Sequence, residues 1–344
     1  MKAAVFKEVG QPVAIEDVPD PTPGPGEVVV KVGYCGICGT DVHSTAEHMF
    51  APPSGSPLGH EFSGEVVALG SGVDQLKIGD KIAAMPMSGC KTCPACRAGH
   101  PYACQQFRPM SGGFAEYALA CASFATKLPS ALSLEDGALA EPLAAALRCV
   151  SMSRMTPGAK VLIIGAGAMG LATAFWARRL GAGKVVITAR SKWREALALE
   201  MGADQFIVSD DGLAENVNTA LGGMPDIVFE AAGAAGMIEQ AVNLVRPRGT
   251  VLSEGGCMQA DQFIPFIAML KEVCMQFSAA YTLKDFHVAV DTLESGAVEP
   301  RSLITDTLPL AAMPAALEAL RGNNKQFKVM IDPWMNEHQT DKIK

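Results

Sequence analysis

Aromatic side chains are scarce in this chain, at 6% of 344 residues with three Trp and four Tyr. Positive charge is also in deficit: 28 Lys and Arg stand against 36 Asp and Glu, a formal net charge of −8. That argues against the basic surplus by which proteins hold a nucleic-acid backbone. No uncharged apolar run reaches the roughly 20 residues a membrane helix needs. The longest, Val161 to Ala177, has 17 residues and is broken by Gly165, Gly167 and Gly170. The N-terminus has no secretory apolar region, because Lys7 and Glu8 interrupt it. Internal repeats and low-complexity segments are missing too. A cytoplasmic location, with no membrane or nucleic-acid partner, is the expectation.

What is present is a 49% hydrophobic composition with 34 Gly and 22 Pro. That is enough apolar matter for a sizeable core, so the chain does not read as disordered. At about 150 residues per domain, two domains are expected. Residues 1 to about 125 hold short runs such as Val28-Val29-Val30-Lys31-Val32, separated by turn residues such as Pro21 to Gly26 and Pro52 to Pro57. This predicts a β-rich domain, a partly closed barrel. Leu134 to Ser151 turns helical in composition.

From Lys160 onward, apolar runs alternate with helical stretches: 161–165, 184–189, 205–208, 226–233, 249–256 and 273–280. Continuous apolar strands between helices predict an α/β domain with a doubly wound parallel sheet of six strands. The tail from about 285 reads as helix, a short β-rich part and a second helix, expected to return to the first domain.

Gly165-Ala166-Gly167-Ala168-Met169-Gly170 fits G-x-G-x-x-G between a strand and a helix. The first glycine permits the tight turn, the second admits a pyrophosphate close to the backbone, and the third lets helix and strand pack closely. The helix N-terminus then offers free N–H groups to phosphate. An NAD site would place a carboxylate at the end of the second strand. Here Ala189 stands there, followed by Arg190, Ser191 and Arg194. Guanidinium groups suit a 2′-phosphate, so NADP is expected over NAD. Ala232 and Gly255, at the ends of the fourth and fifth strands, are further cofactor candidates.

Ten cysteines are present, four of them in the pattern C-x₂-C-x₂-C-x₇-C: Cys90, Cys93, Cys96 and Cys104. Four thiolates so close together suit a closed, structural Zn²⁺ site. An iron–sulfur cluster is the competing reading, and a nucleic-acid zinc finger is disfavoured by the acidic charge. Elsewhere Cys38, His60 and Glu141 are scattered, as a catalytic zinc with an open position would allow.

The segment GICGTDVH (36–43), Gly59-His60-Glu61, the four-cysteine lobe, Glu141-Pro142-Leu143 and the Gly-rich turn together resemble the medium-chain zinc-dependent alcohol dehydrogenases, in the sorbitol, threonine and butanediol dehydrogenase branch. The resemblance spans nearly the whole chain. It implies a GroES-like catalytic domain over 1–148 with a zinc lobe at about 88–106, a Rossmann domain over 149–283, and completion of the first domain by 284–344. It implies hydride transfer between NADP(H) and a secondary alcohol or polyol and its ketone, with zinc polarising the substrate oxygen. Two zinc ions per chain are expected, one catalytic and one structural. Cys38, His60 and Glu61 are the implied ligands, and Glu141 either ligates in exchange or holds a water. Many relatives carry Cys where Glu141 stands, a departure in the ligand set. Thr40 and His43 resemble the proton relay through the nicotinamide ribose, and Asp41 the group that orients His60. Lys328 is a candidate phosphate contact. His48, His100, His287 and His338 match no motif. A homodimer or homotetramer is expected. A non-catalytic, NADPH-binding member of the same fold is the alternative.

Overall fold

The computed structural model describes residues 1–322 and 325–336. His338 lies outside them. The chain divides into two units, Met1–Glu141 with Tyr281–Lys344, and Pro142–Ala280. The first division falls inside one helix, Leu134–Met152, which carries Pro142. The sequence reading set its boundaries at 148 and 283, a few residues later in each case.

The first unit is built on a seven-stranded sheet. Its long strand, Glu27–Gly36, is rich in valine, which suits pleated, covered backbone. Glu61–Leu69 pairs along it antiparallel. Tyr117–Cys121 takes the first half of its other edge, Lys31 facing Tyr117, and Lys328–Asp332 takes the end, Ile331 facing Cys35. Ile304–Pro309 extends the sheet beyond Lys328–Asp332, and Lys81–Ala84 and Ala125–Lys127 extend the opposite side. The tail strands thus belong to the same sheet as the first 130 residues. Val28, Val30, Val32, Phe62, Ile82, Phe114 and Leu317 pack in the core.

The second unit is a six-stranded parallel sheet in the order Gln205–Val208, Lys184–Ala189, Lys160–Ile164, Ile227–Glu230, Thr250–Ser253, Cys274–Phe277. This is the expected doubly wound α/β order, with a switch point between Lys160–Ile164 and Ile227–Glu230. Val161 to Ile164 are buried on both faces, which explains their unbroken apolar sequence. A helix the sequence reading passed over, Leu213–Leu221, covers this sheet through Leu213, Val217 and Leu221. Among the described residues, no helix is long and apolar enough to cross a membrane.

Candidate active site

In the first unit, Cys38 caps the short helix Gly39–Ser44. Its N–H donates to Asp41 Oδ2 at 2.9 Å. The other Asp41 oxygen lies 3.4 Å from His60 Nδ1. Asp41 therefore ties the Cys38 loop to the His60 ring and leaves His60 Nε2 free to ligate. Burial alone lowers the His60 pKa, but the charges of Asp41 and Cys38 outweigh it and hold the ring well above its ordinary value.

Glu61 opens the strand that follows His60 and is buried. It faces Gly36 across the strand pair, and a Cβ at Gly36 would overlap its carboxylate. Glycine there makes the slot. Lys328 fills the other side: its ammonium donates to both Glu61 oxygens at 2.6 Å and to the Ile37 carbonyl at 3.2 Å. Burial disfavours the charged lysine, yet Glu61 and Cys38 raise its pKa overall. Glu141 accepts a hydrogen bond from the Tyr281 hydroxyl at 3.0 Å. Burial, with Glu61 adding to it, pushes the Glu141 carboxyl up to about 7.

Ligand atoms of Cys38, His60 and Glu61 lie within 4.8 Å of one another. One thiolate, one imidazole and one carboxylate fit a zinc ion that keeps an open position. Glu141 is not in that convergent trio. Thr40 Oγ1 lies 3.6 Å from Cys38 Sγ, and His43 sits one turn along the same helix.

The sulfurs of Cys90, Cys93, Cys96 and Cys104 likewise converge within 4.8 Å. Backbone N–H groups already point at them: Cys93 to Cys90 Sγ at 3.2 Å, Cys90 to Cys104 Sγ at 3.4 Å and Gln106 to Cys104 Sγ at 3.3 Å. Bonds from Thr92 and Cys93 bring the Cys90 thiol down to about 6, while burial pushes Cys96 up to about 12. All four are free thiols in a donor set that fits a closed tetrahedral zinc.

The groups on the loops 44–57 and 105–110 divide into committed and exposed ones. Ser44 and Thr45 are buried, and Thr45 donates to the Asp41 carbonyl at 2.6 Å. Arg108 pairs with the buried Glu27. Met49 and Phe50 are exposed. Thr45 and Arg108 are thus committed to holding the loops.

In the second unit, Gly165 has φ +108°, and a Cβ there would strike the backbone of Ala231 and Ala232. Gly167 begins the helix Ala168–Arg179 and faces open space, as an approaching phosphate requires. Met169 lies in the first turn of that helix, and Gly170 packs on the Gly165 carbonyl. Glu230 Oε1 accepts from the N–H groups of Ala232 and Gly233 at 2.8 and 2.7 Å, and Gly255 packs against Gly233. Ala189 ends its strand and is followed by the exposed Arg190 and Ser191. Arg194 donates to the Ala166 carbonyl at 2.8 Å and lies over the Trp193 ring at 4.3 Å. It therefore ties the second-strand loop to the Gly-rich turn.

Sequence reasoning missed Tyr281, gave Lys328 a phosphate rather than Glu61, and passed over Glu254. The Glu254 carboxyl accepts from the Thr173 hydroxyl at 2.6 Å, and burial pushes it up to about 8. An acidic residue at the end of an apolar strand was the available signal.

The family model for an alcohol dehydrogenase GroES-like domain matches residues 24–130, and that for a zinc-binding dehydrogenase matches 168–295. The sorbitol dehydrogenase of Bacillus subtilis is 32% identical over 97% of both chains. D-xylulose reductase A of Aspergillus clavatus is 33% identical over 93% of both. A zinc-binding dehydrogenase of Sinorhizobium meliloti, solved with NADP bound, superposes with a TM-score of 0.87 at 32% identity, covering 96% of this chain and 99% of that one.

Proposed function

The chain belongs to the zinc-dependent, medium-chain alcohol dehydrogenase family, and from that premise we propose that it interconverts a secondary alcohol or polyol and its ketone with NADP(H). The convergence of Cys38, His60 and Glu61, with Asp41 fixing the imidazole, is the observation that carries this reading. Bound there, zinc supplies a Lewis acid that polarises the substrate oxygen. NADP⁺ supplies the hydride acceptor. The protein does the rest. Asp41 fixes the ring of His60 so that Nε2 faces the metal position. Glu141, steadied by Tyr281, is the further carboxylate available to ligate in exchange or to hold a water. The Thr40 hydroxyl, beside Cys38, would take the substrate proton as it releases its own, which the nicotinamide ribose would carry to His43 and so to solvent. Cys90, Cys93, Cys96 and Cys104 hold a second, structural zinc.

The cofactor assignment rests on Ala189, Arg190, Ser191 and Arg194, and is supported by the relative solved with NADP. The polyol class rests on the sorbitol and D-xylulose relatives. Ten free cysteines suit a reducing cytoplasm. The edge strand Cys274–Phe277 and the helix Pro265–Leu270 expose Phe266, Met269, Leu270 and Phe277, which supports a homodimer or homotetramer built on that edge.

A panel of polyols and ketones with NADPH and NADH as readouts tests the reaction. Two zinc ions per chain are expected. Cys38→Ser should retain one and lose activity by at least about a hundredfold. Ala189→Asp should lower kcat/KM for NADP⁺ by about 10- to 100-fold, the worth of a charge-assisted bond. Tight NADPH binding without turnover on the whole panel would replace this reading with a non-catalytic role.

A further inference from the structure

Lys328 and Glu61 form the most deeply buried ion pair among the described residues, with side chains 3% and 1% exposed. The three N–H bonds of an ammonium are all spent there, two on the carboxylate and one on the Ile37 carbonyl. Strand pairing fixes the geometry. Gly36 faces Glu61 on one neighbouring strand and Met330, two residues past Lys328, on the other. Yet the same carboxylate reaches within 4.8 Å of the Cys38 and His60 donors. A metal ion held by that trio would share one carboxylate with Lys328.

We propose that Lys328 is a positioning residue for the metal centre, keeping Glu61 a weak and exchangeable ligand. The inference rests on the metal reading above. An ammonium on both oxygens drains their donor strength and repels a nearby divalent ion. A carboxylate bound without that competitor would hold the position that a substrate oxygen needs. When Glu61 leaves the metal it is received by a partner already in place, so no unpaired charge is left buried.

The test loads cobalt at the Cys38–His60 site, with zinc in the four-cysteine lobe, and compares wild type, K328M, K328R and K328M/E61Q. K328M should bind zinc at least about tenfold more tightly in chelator competition, a change of about 1.4 kcal/mol. Its cobalt absorption should change in the absence of substrate, and its KM for alcohol should rise. K328R, whose fork also donates to two oxygens, should stay near wild type. The double variant, with both charges gone and a route to folding if K328M has none, should bind zinc no more tightly than wild type. A purely structural lysine would instead give weaker metal binding in K328M. That result, an unchanged cobalt spectrum, or tightening that persists in the double variant would overturn the proposal. Wild type without metal at this site would instead sink the metal reading itself.

Discussion

Glu61 and Glu254 are the same residue type with buried carboxyl groups, one in each unit, and they meet burial in opposite ways. Glu61 sits under a lysine that holds both oxygens. Among the described residues Glu254 has no cation beside it: Oε1 accepts from Thr173, and the Cys149 thiol and Glu230 are its titratable neighbours. Loss of water drives an acid toward its neutral form. The comparison teaches that depth alone does not decide how a carboxyl group is satisfied, because the partner supplied by the fold does.

The comparison breaks most sharply if Glu61→Ala is harmless. Leaving Lys328 buried and unpaired should cost about 3–5 kcal/mol in denaturant unfolding, and K328M/E61Q should recover most of it. Glu254 sharpens the contrast through pH. Its folded pKa of about 8 exceeds its ordinary 4.5. The folded state therefore holds a proton that the unfolded chain has released, and stability falls as pH rises from about 4.5 to about 8. The contribution is full below that window and lost above it. Wild type should lose a few kcal/mol relative to Glu254→Gln across the window, on the order of 1.4 kcal/mol per pH unit. Equal slopes for the two proteins would show Glu254 to be ionised. The smallest effects belong to the hydroxyl donors. Tyr281→Phe and Thr173→Val should each cost about 1 kcal/mol, read as shifts in urea midpoint.

The architecture was largely legible because local sequence encodes it. A strand buried on both faces must be apolar throughout, so VLII before the Gly-rich turn announced the central parallel strand. The nine-residue helix Leu213–Leu221 was less visible, since LAENVNTAL shows only three buried positions. Of the candidate site, the four cysteines stand within 15 residues and declare themselves, and Cys38, His60 and Glu61 were recovered through the family resemblance. Of their supports, Asp41 was named on the same resemblance, but Lys328 and Tyr281 were not placed there. Lys328 lies 267 residues from Glu61 and Tyr281 lies 140 from Glu141. Strand order brings the first pair together and tertiary packing the second, and no spacing rule records either.

The amide groups aimed at the lobe sulfurs have a chemical consequence. A thiol brought down to about 6 is mostly a nucleophile at neutral pH. Without an ion, Cys90 is then a sulfur open to peroxide or an electrophile, with three further thiols converged on it. Zinc held in that lobe would therefore be armour as well as scaffold, turning Cys90 into one of four inert ligands.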